Sequence, residues 1–134
     1  MASSSKPKHK AVGDTGEELA ARYLREQGYR IVECNAANKY GEIDIIAKRR
    51  GVYHFVEVKT LSGRYRRERA ERFHPIDHLT PAKLSALERA IWEYRRKHGL
   101  LESDCQLDAI AVWLDEDAKH ADIKYYPALE GGDS

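Results

Sequence analysis

Between residues 41 and 60 apolar and polar positions form two short extended patterns. The first is Gly41-Glu42-Ile43-Asp44-Ile45-Ile46 and the second is Phe55-Val56-Glu57-Val58-Lys59. Both are rich in β-branched residues, and Arg50-Gly51 between them is a turn signal, so residues 41–49 and 52–60 read as paired strands. Upstream, Leu19, Ala20, Tyr23 and Leu24 recur at helical spacing and Gly28 closes the pattern. That helix is expected to begin at Asp14 or Thr15, where Thr15-Gly16-Glu17-Glu18 fits a capping box. Residues 29–33 read as a first strand and 35–40 as a turn-rich connection. Residues 61–79 are charged and aperiodic, and read as a long loop with partial helix through 66–73. Thr80-Pro81 opens a second helix with Leu84, Leu87, Ile91 and Tyr94 as its apolar stripe, and Gly99 ends it. Residues 105–114 read as a buried strand and 121–126 as a last one. The order is α-β-β-β-α-β-β, an α/β fold.

The period of two fixes what the central hairpin presents. Glu42, Asp44 and Ile46 share one face, with Ile43 and Ile45 on the other. Phe55, Glu57 and Lys59 share a face, with Val56 and Val58 opposite. A two-residue Arg50-Gly51 loop makes paired residue numbers sum to about 101. Asp44 then faces Glu57, Glu42 faces Lys59, and the apolar residues meet one another. A slip by one residue would scramble both faces. Like charges directly opposite are destabilising, so Asp44 against Glu57 asks for a compensating positive charge: Lys59, or a hard divalent cation. The plainer alternative is a sheet whose second face is wet.

Composition narrows the class without naming it. The chain has 134 residues, 34% of them charged and 42% hydrophobic. That is one domain with enough apolar content for a core. Residues 1–12 read as a disordered basic tail, 13–129 as the domain and 130–134 as a loose end. No apolar run is long enough to span a membrane and no secretory signal is visible, so a cytoplasmic protein without a membrane partner is expected. Cys34 and Cys105 fit buried thiols in a reducing compartment. The net charge is only +1, but Arg64, Arg66, Arg67, Arg69 and Arg72 cluster in the 61–79 segment, where they suit phosphate contacts or a solvated charged loop. The six histidines show no ligand spacing, since His74 and His78 flank Pro75. Lys83 stands in the first turn of its helix, where the dipole disfavours a cation, so it is either a phosphate partner or a solvated lysine. Asp108 interrupts an apolar strand and is expected to bond to neighbouring backbone.

Gly41-Glu-Ile-Asp44, a hairpin, and Val56-Glu-Val-Lys59-Thr60 resemble the PD-(D/E)xK nuclease signature. More closely, Gly13-x-x-Gly16-Glu-x-x-Ala20, Gly41-Glu-Ile-Asp-Ile-Ile46, Phe55-Val-Glu-Val-Lys-Thr60, Thr80-Pro-Ala-Lys83 and Leu107-Asp-Ala-Ile110 together resemble the bacterial YraN, or UPF0102, family. That family is similar to archaeal Holliday-junction resolvases. Ile43 stands where the motif's name has proline, and the 61–79 segment is longer and richer in arginine than the family pattern.

The resemblance implies a restriction-endonuclease-like core, a mixed β-sheet flanked by helices, with a metal site on the hairpin. It implies that Asp44 and Glu57, with the Val58 carbonyl, hold Mg²⁺ or Mn²⁺ and that Lys59 assists the reaction. Glu18 is either the acid that such nucleases place on the first helix or the capping-box residue. Glu42 is either a second ligand or the partner of Lys59. The function implied is metal-dependent hydrolysis of phosphodiesters in structured or branched DNA, with a homodimer matching the two strands to be cut. The alternatives are a nucleic-acid-binding module with the same fold and no turnover, and an assembly domain with a solvated acidic face.

Overall fold

The computed structural model describes residues 8–62, 74–115 and 120–129, with backbone alone for 8–14, 62, 75 and 76. The elements run α1 (Lys8–Glu26), β1 (Arg30–Asn38), β2 (Gly41–Arg49), β3 (Val52–Ser62), a 3-10 turn (Pro75–His78), α2 (Pro81–Lys97), β4 (Cys105–Leu114) and β5 (Ala121–Tyr126). The strands form one five-stranded sheet in the order β1-β2-β3-β4-β5. Three neighbouring pairs are antiparallel and β3–β4 is parallel. A parallel pair needs a crossover, and the stretch containing α2 provides it. The result is the mixed sheet flanked by helices, in the α-β-β-β-α-β-β order expected.

Two cores lie on either side of the sheet. Ala20, Ala21 and Leu24 of α1 pack on Ile45, Ala47, Val56, Ile110 and Val112. Leu87, Ala90, Ile91 and Tyr94 of α2 pack on Ile43, Ile46, Phe55 and Leu107. Tyr94 also donates a hydrogen bond to Glu33, and the Asn38 amide donates to the Ala90 carbonyl, tying α2 to β1.

The hairpin forms in the expected register. Ile45 pairs with Val56, Ile46 with Phe55 and Arg49 with Val52. Arg50 and Gly51 have φ of 51° and 81°. Two successive left-handed residues make the turn whose twist matches that of the strands. The α2 cap is also as expected: the Thr80 hydroxyl accepts from the Lys83 N–H at 3.1 Å, with Pro81 in the first turn.

Three expectations are corrected. α1 begins at Lys8, so residues 8–12 are helical and not part of a tail, and Thr15 lies inside the helix and not at its N-terminus. β1 continues to Asn38, so the connection after it is only Lys39 and Tyr40. Cys34 is exposed and Cys105 half-buried, and both are free thiols. Residues 1–7 and 130–134 lie outside the described residues. So do residues 66–73, where partial helix was expected.

Gly16 shows why α1 can lie where it does. A Cβ built there would stand 2.9 Å from both Cβ and Cγ2 of Thr60, and closer still to its hydroxyl. Such a contact forces helix and strand apart. Gly16→Ala is therefore expected to destabilise the fold by about 1–3 kcal/mol despite the better helix propensity of alanine. Urea unfolding of Gly16→Ala, Thr60→Ala and the double variant checks this, with the double variant recovering part of the loss.

Asp108 is fully buried, at 0% exposure. Its carboxylate accepts from His54 Nδ1 at 2.6 Å, the Gln106 amide at 2.7 Å, the Ala128 N–H at 2.8 Å and the Tyr125 hydroxyl. The expected bond to backbone is present, but side chains supply the other three donors.

Candidate active site

The site lies where β2 and β3 part. Regular pairing between them is seen from Arg49↔Val52 as far as Ile45↔Val56. One step beyond, the Asp44 carboxylate accepts the Val58 backbone N–H at 2.8 Å. A side chain thus takes the place of a ladder bond, and Asp44 is drawn into the plane of the sheet. The neighbouring strand bends at the same point. Asn35 has φ 55° and lies between the pairs Cys34↔Ile45 and Ala36↔Ile43, opposite Asp44. A left-handed residue in a strand interrupts its alternation. Cys34 accordingly lies on the α1 side and Ala36 on the α2 side. β2 follows suit: Ile45 joins the core under α1 but Ile43 joins the core under α2. The expectation that Ile43 and Ile45 share a face is corrected by this paired irregularity.

Asp44 and Glu57 still meet, because Asp44 leans towards β3. Their carboxyl groups are hydrogen-bonded to each other and both titrate high. Burial raises Asp44 to about 6, and the charge of Glu42 adds to this. The Val58 N–H and the bond to Glu57 pull the other way. Burial also raises Glu57 to about 8, reinforced by the charge of Asp44 and the bond to it and by the charge of Glu17, with Lys59 opposing. At neutral pH the pair together holds about one proton.

Lys59 is exposed and, with Glu57, lines a pocket of about 100 Å³ together with His78, Leu79 and Lys83. An adjoining pocket of about 200 Å³ is lined by Tyr40, Glu42, Glu57 and Lys83 among others. Asp44 thus contacts Glu57, while Lys59, Lys83 and Glu42 gather around Glu57. The expected partnership of Glu42 with Lys59 is not formed. Once the strands part, the charge of Glu42 bears on Asp44 and that of Lys59 on Glu57.

Glu18 is not brought to the pair. It is exposed and faces the groove between α1 and β1. Its neighbour Glu17 is the α1 acid whose charge reaches Glu57. One residue turns a helix by roughly 100°, so the two acids point differently. The signal for Glu17 was the adjacent Gly16, whose missing side chain lets this turn of α1 touch β3 at Thr60. Arg64, Arg66, Arg67, Arg69 and Arg72 lie outside the described residues. No three His, Cys, Asp or Glu side chains converge in metal-binding geometry among the described residues. Asp44 and Glu57 are a buried pair of carboxyls that act on each other, and Mg²⁺ is commonly held by one or two carboxylates with waters completing its shell.

Burial of this pair carries a pH signature. Glu57 moves from 4.5 to about 8 on folding and Asp44 from 3.8 to about 6. A carboxyl whose pKa is raised by folding favours the folded state only while protonated. The metal-free protein is therefore expected to lose stability as pH rises from about 4 to 8, by several kcal/mol. Glu57→Gln should remove most of that slope and be the more stable protein at the upper end. Urea midpoints across this range, in chelator, check the sign. Excess Mg²⁺ should restore stability to the parent at high pH but not to the variant.

The fold and site together define an α/β domain carrying a proton-sharing carboxylate pair and a lysine at the fork of two strands. Residues 16–112 match the model of the Uncharacterised protein family UPF0102, and the chain belongs to that family. A UPF0102 protein of Helicobacter hepaticus is 40% identical over 100 residues, covering 75% of this chain and 82% of its own length. One from Trichlorobacter lovleyi is 40% identical over 120 residues, 89% of each chain. One from Chlorobium phaeobacteroides is 36% identical over 115 residues, 86% of this chain and 85% of its own. No helix among the described residues is long and apolar enough to cross a membrane.

Proposed function

We propose that this protein is a metal-dependent endonuclease that hydrolyses phosphodiester bonds in structured or branched DNA. The observation that carries the reading is the Asp44–Glu57 pair, hydrogen-bonded, raised in pKa by burial, and open beside Lys59. Asp44, Glu57 and the Val58 carbonyl would hold Mg²⁺ or Mn²⁺, with Glu17 behind them. What the cation supplies there is Lewis acidity towards a phosphoryl oxygen and a water. A cation there would lower the carboxyl pKa values, so that Asp44 and Glu57 would both hold it as carboxylates. Lys59 stabilises charge growing on the phosphate, and Lys83, at the helix start across the pocket, holds a neighbouring phosphate oxygen. The branched-DNA preference rests on the PD-(D/E)xK resemblance. A homodimer would place two such sites on two strands, and a cytoplasmic location would suit the substrate.

A second reading has one observation in its favour. The absence of a three-donor cluster among the described residues suits a module that binds nucleic acid without cutting it. Labelled four-way, flapped, single-stranded and linear DNA, each with Mg²⁺ or Mn²⁺, separates the two. Metal-dependent cutting supports the first reading. Salt-sensitive binding with no cutting supports the second, and no binding at any salt removes both.

A further inference from the structure

A groove of about 770 Å³ runs between α1 and the edge strand β1. Among the described residues β1 has no strand on its outer side, so there the groove has one open flank. Its two ends differ in charge. At one end stand Glu17, whose charge reaches Glu57, its neighbour Glu18, and Asn35, which lies opposite Asp44. At the other end stand Arg22 and Arg25, with Cys34 in the floor. Arg22 has only a long, exposed contact with Glu26 at 3.9 Å. Arg25 and Glu17 both act on the Cys34 thiol, in opposite senses, so the floor senses both ends. At 1.5 Å per helical residue, Glu17 and Arg25 are about 12 Å apart along α1. The acidic end is the end that takes the cation, and the basic end lies within reach of the next phosphates of a bound strand.

We propose that the groove between α1 and β1 carries the single nucleic-acid strand that leads away from the reacting phosphate, with Arg22 and Arg25 as its phosphate contacts. This rests on the reading of Asp44 and Glu57 as the cutting site. A sequence-independent track is what such contacts give, since guanidinium groups on phosphates position a strand without reading its bases. The free edge leaves room for bases to project outwards past β1.

The test uses the full chain, chelator to stop cutting, and a labelled single-stranded oligonucleotide followed by fluorescence anisotropy. Arg22→Ala with Arg25→Ala should weaken binding roughly tenfold at moderate salt and reduce the salt slope by about 2. Arg89→Ala, an exposed arginine on α2, should change neither. In the unaltered chain, the oligonucleotide should slow alkylation of Cys34 several-fold while Cys105 reacts as before. Equal affinity and slope in the double variant, or Cys34 labelled at the same rate with and without oligonucleotide, would overturn the proposal. The Cys34 measurement decides the matter even if the double variant folds poorly. If the protein protects Cys34 but cuts nothing with Mg²⁺ or Mn²⁺, the groove stands and the nuclease reading falls. If it cuts, and the arginine variants bind and cut normally, the reverse holds.

Discussion

Asp44→Asn is expected to reduce metal-dependent cutting by at least about a thousandfold while leaving the fold intact. Its carboxylate does two things at once, accepting the Val58 N–H and hydrogen-bonding to the Glu57 carboxyl. Asparagine keeps an acceptor for the N–H but lacks the charge that draws in a cation. Losing a first ligand or the main stabilising charge typically costs 10²–10³ or more in rate. Lys59→Ala is expected to fall in the same range, and Lys59→Arg to recover little, because a guanidinium is a planar fork and not a point charge. The two variants should differ in metal affinity: Asp44→Asn loses Mn²⁺ binding by calorimetry, whereas Lys59→Ala binds Mn²⁺ at least as well. Undiminished cutting in either variant would remove the site as assigned. Cutting that survives in Asp44→Asn but not in Lys59→Ala would move the metal elsewhere.

The largest effect on stability should come from a residue remote from that chemistry. Asp108→Ala is expected to destabilise the protein by about 3–5 kcal/mol. It leaves His54, Tyr125, Gln106 and the Ala128 N–H facing a buried space with no acceptor. Unmatched buried donors cost about 1–3 kcal/mol each, though not additively. A domain of this size has about 5–15 kcal/mol in total, so the variant should be close to unfolding. Asp108→Asn keeps the shape but turns an NH₂ towards donors, and should lose less. Tyr125→Phe removes one donor and keeps the ring against Tyr29, and should cost only about 1 kcal/mol. Urea denaturation of the three variants sets the order. Equal stability of Asp108→Ala and the parent would show that the network contributes nothing.

These two residues also show how legible the chain was. Both Asp44 and Asp108 stand out as acids inside apolar strands, and both mark positions where the chain is held by something other than apolar packing. Pattern alone could not separate them. Asp108 lies where His54, Tyr125 and the backbone near Ala128 converge, partners up to 74 residues apart from one another (His54 to Ala128), so it is a buried structural anchor. Asp44 lies where two strands diverge, so it opens onto a site. Likewise Thr15-x-x-Glu18 is a sound local signal for a helix start. It misled because α1 continues back to Lys8, and because Gly16 is small for the sake of Thr60 in β3 rather than as part of a cap. The same error promoted Glu18 over Glu17, a difference of one residue that only the docking of α1 on the sheet decides.

By itself the sequence determined the order of elements, the hairpin and its register, the cap of α2, and the approach of Asp44 to Glu57, since these follow from side-chain periodicity and turn chemistry between near neighbours. Tertiary structure alone decided that Asp44 takes the Val58 N–H, that Glu17 is the α1 acid whose charge reaches Glu57, and that burial raises both carboxyls. Those outcomes depend on how far strands part, how closely a helix approaches, and how much water is excluded. Each is set by contacts between distant segments, where neither spacing nor propensity has any hold.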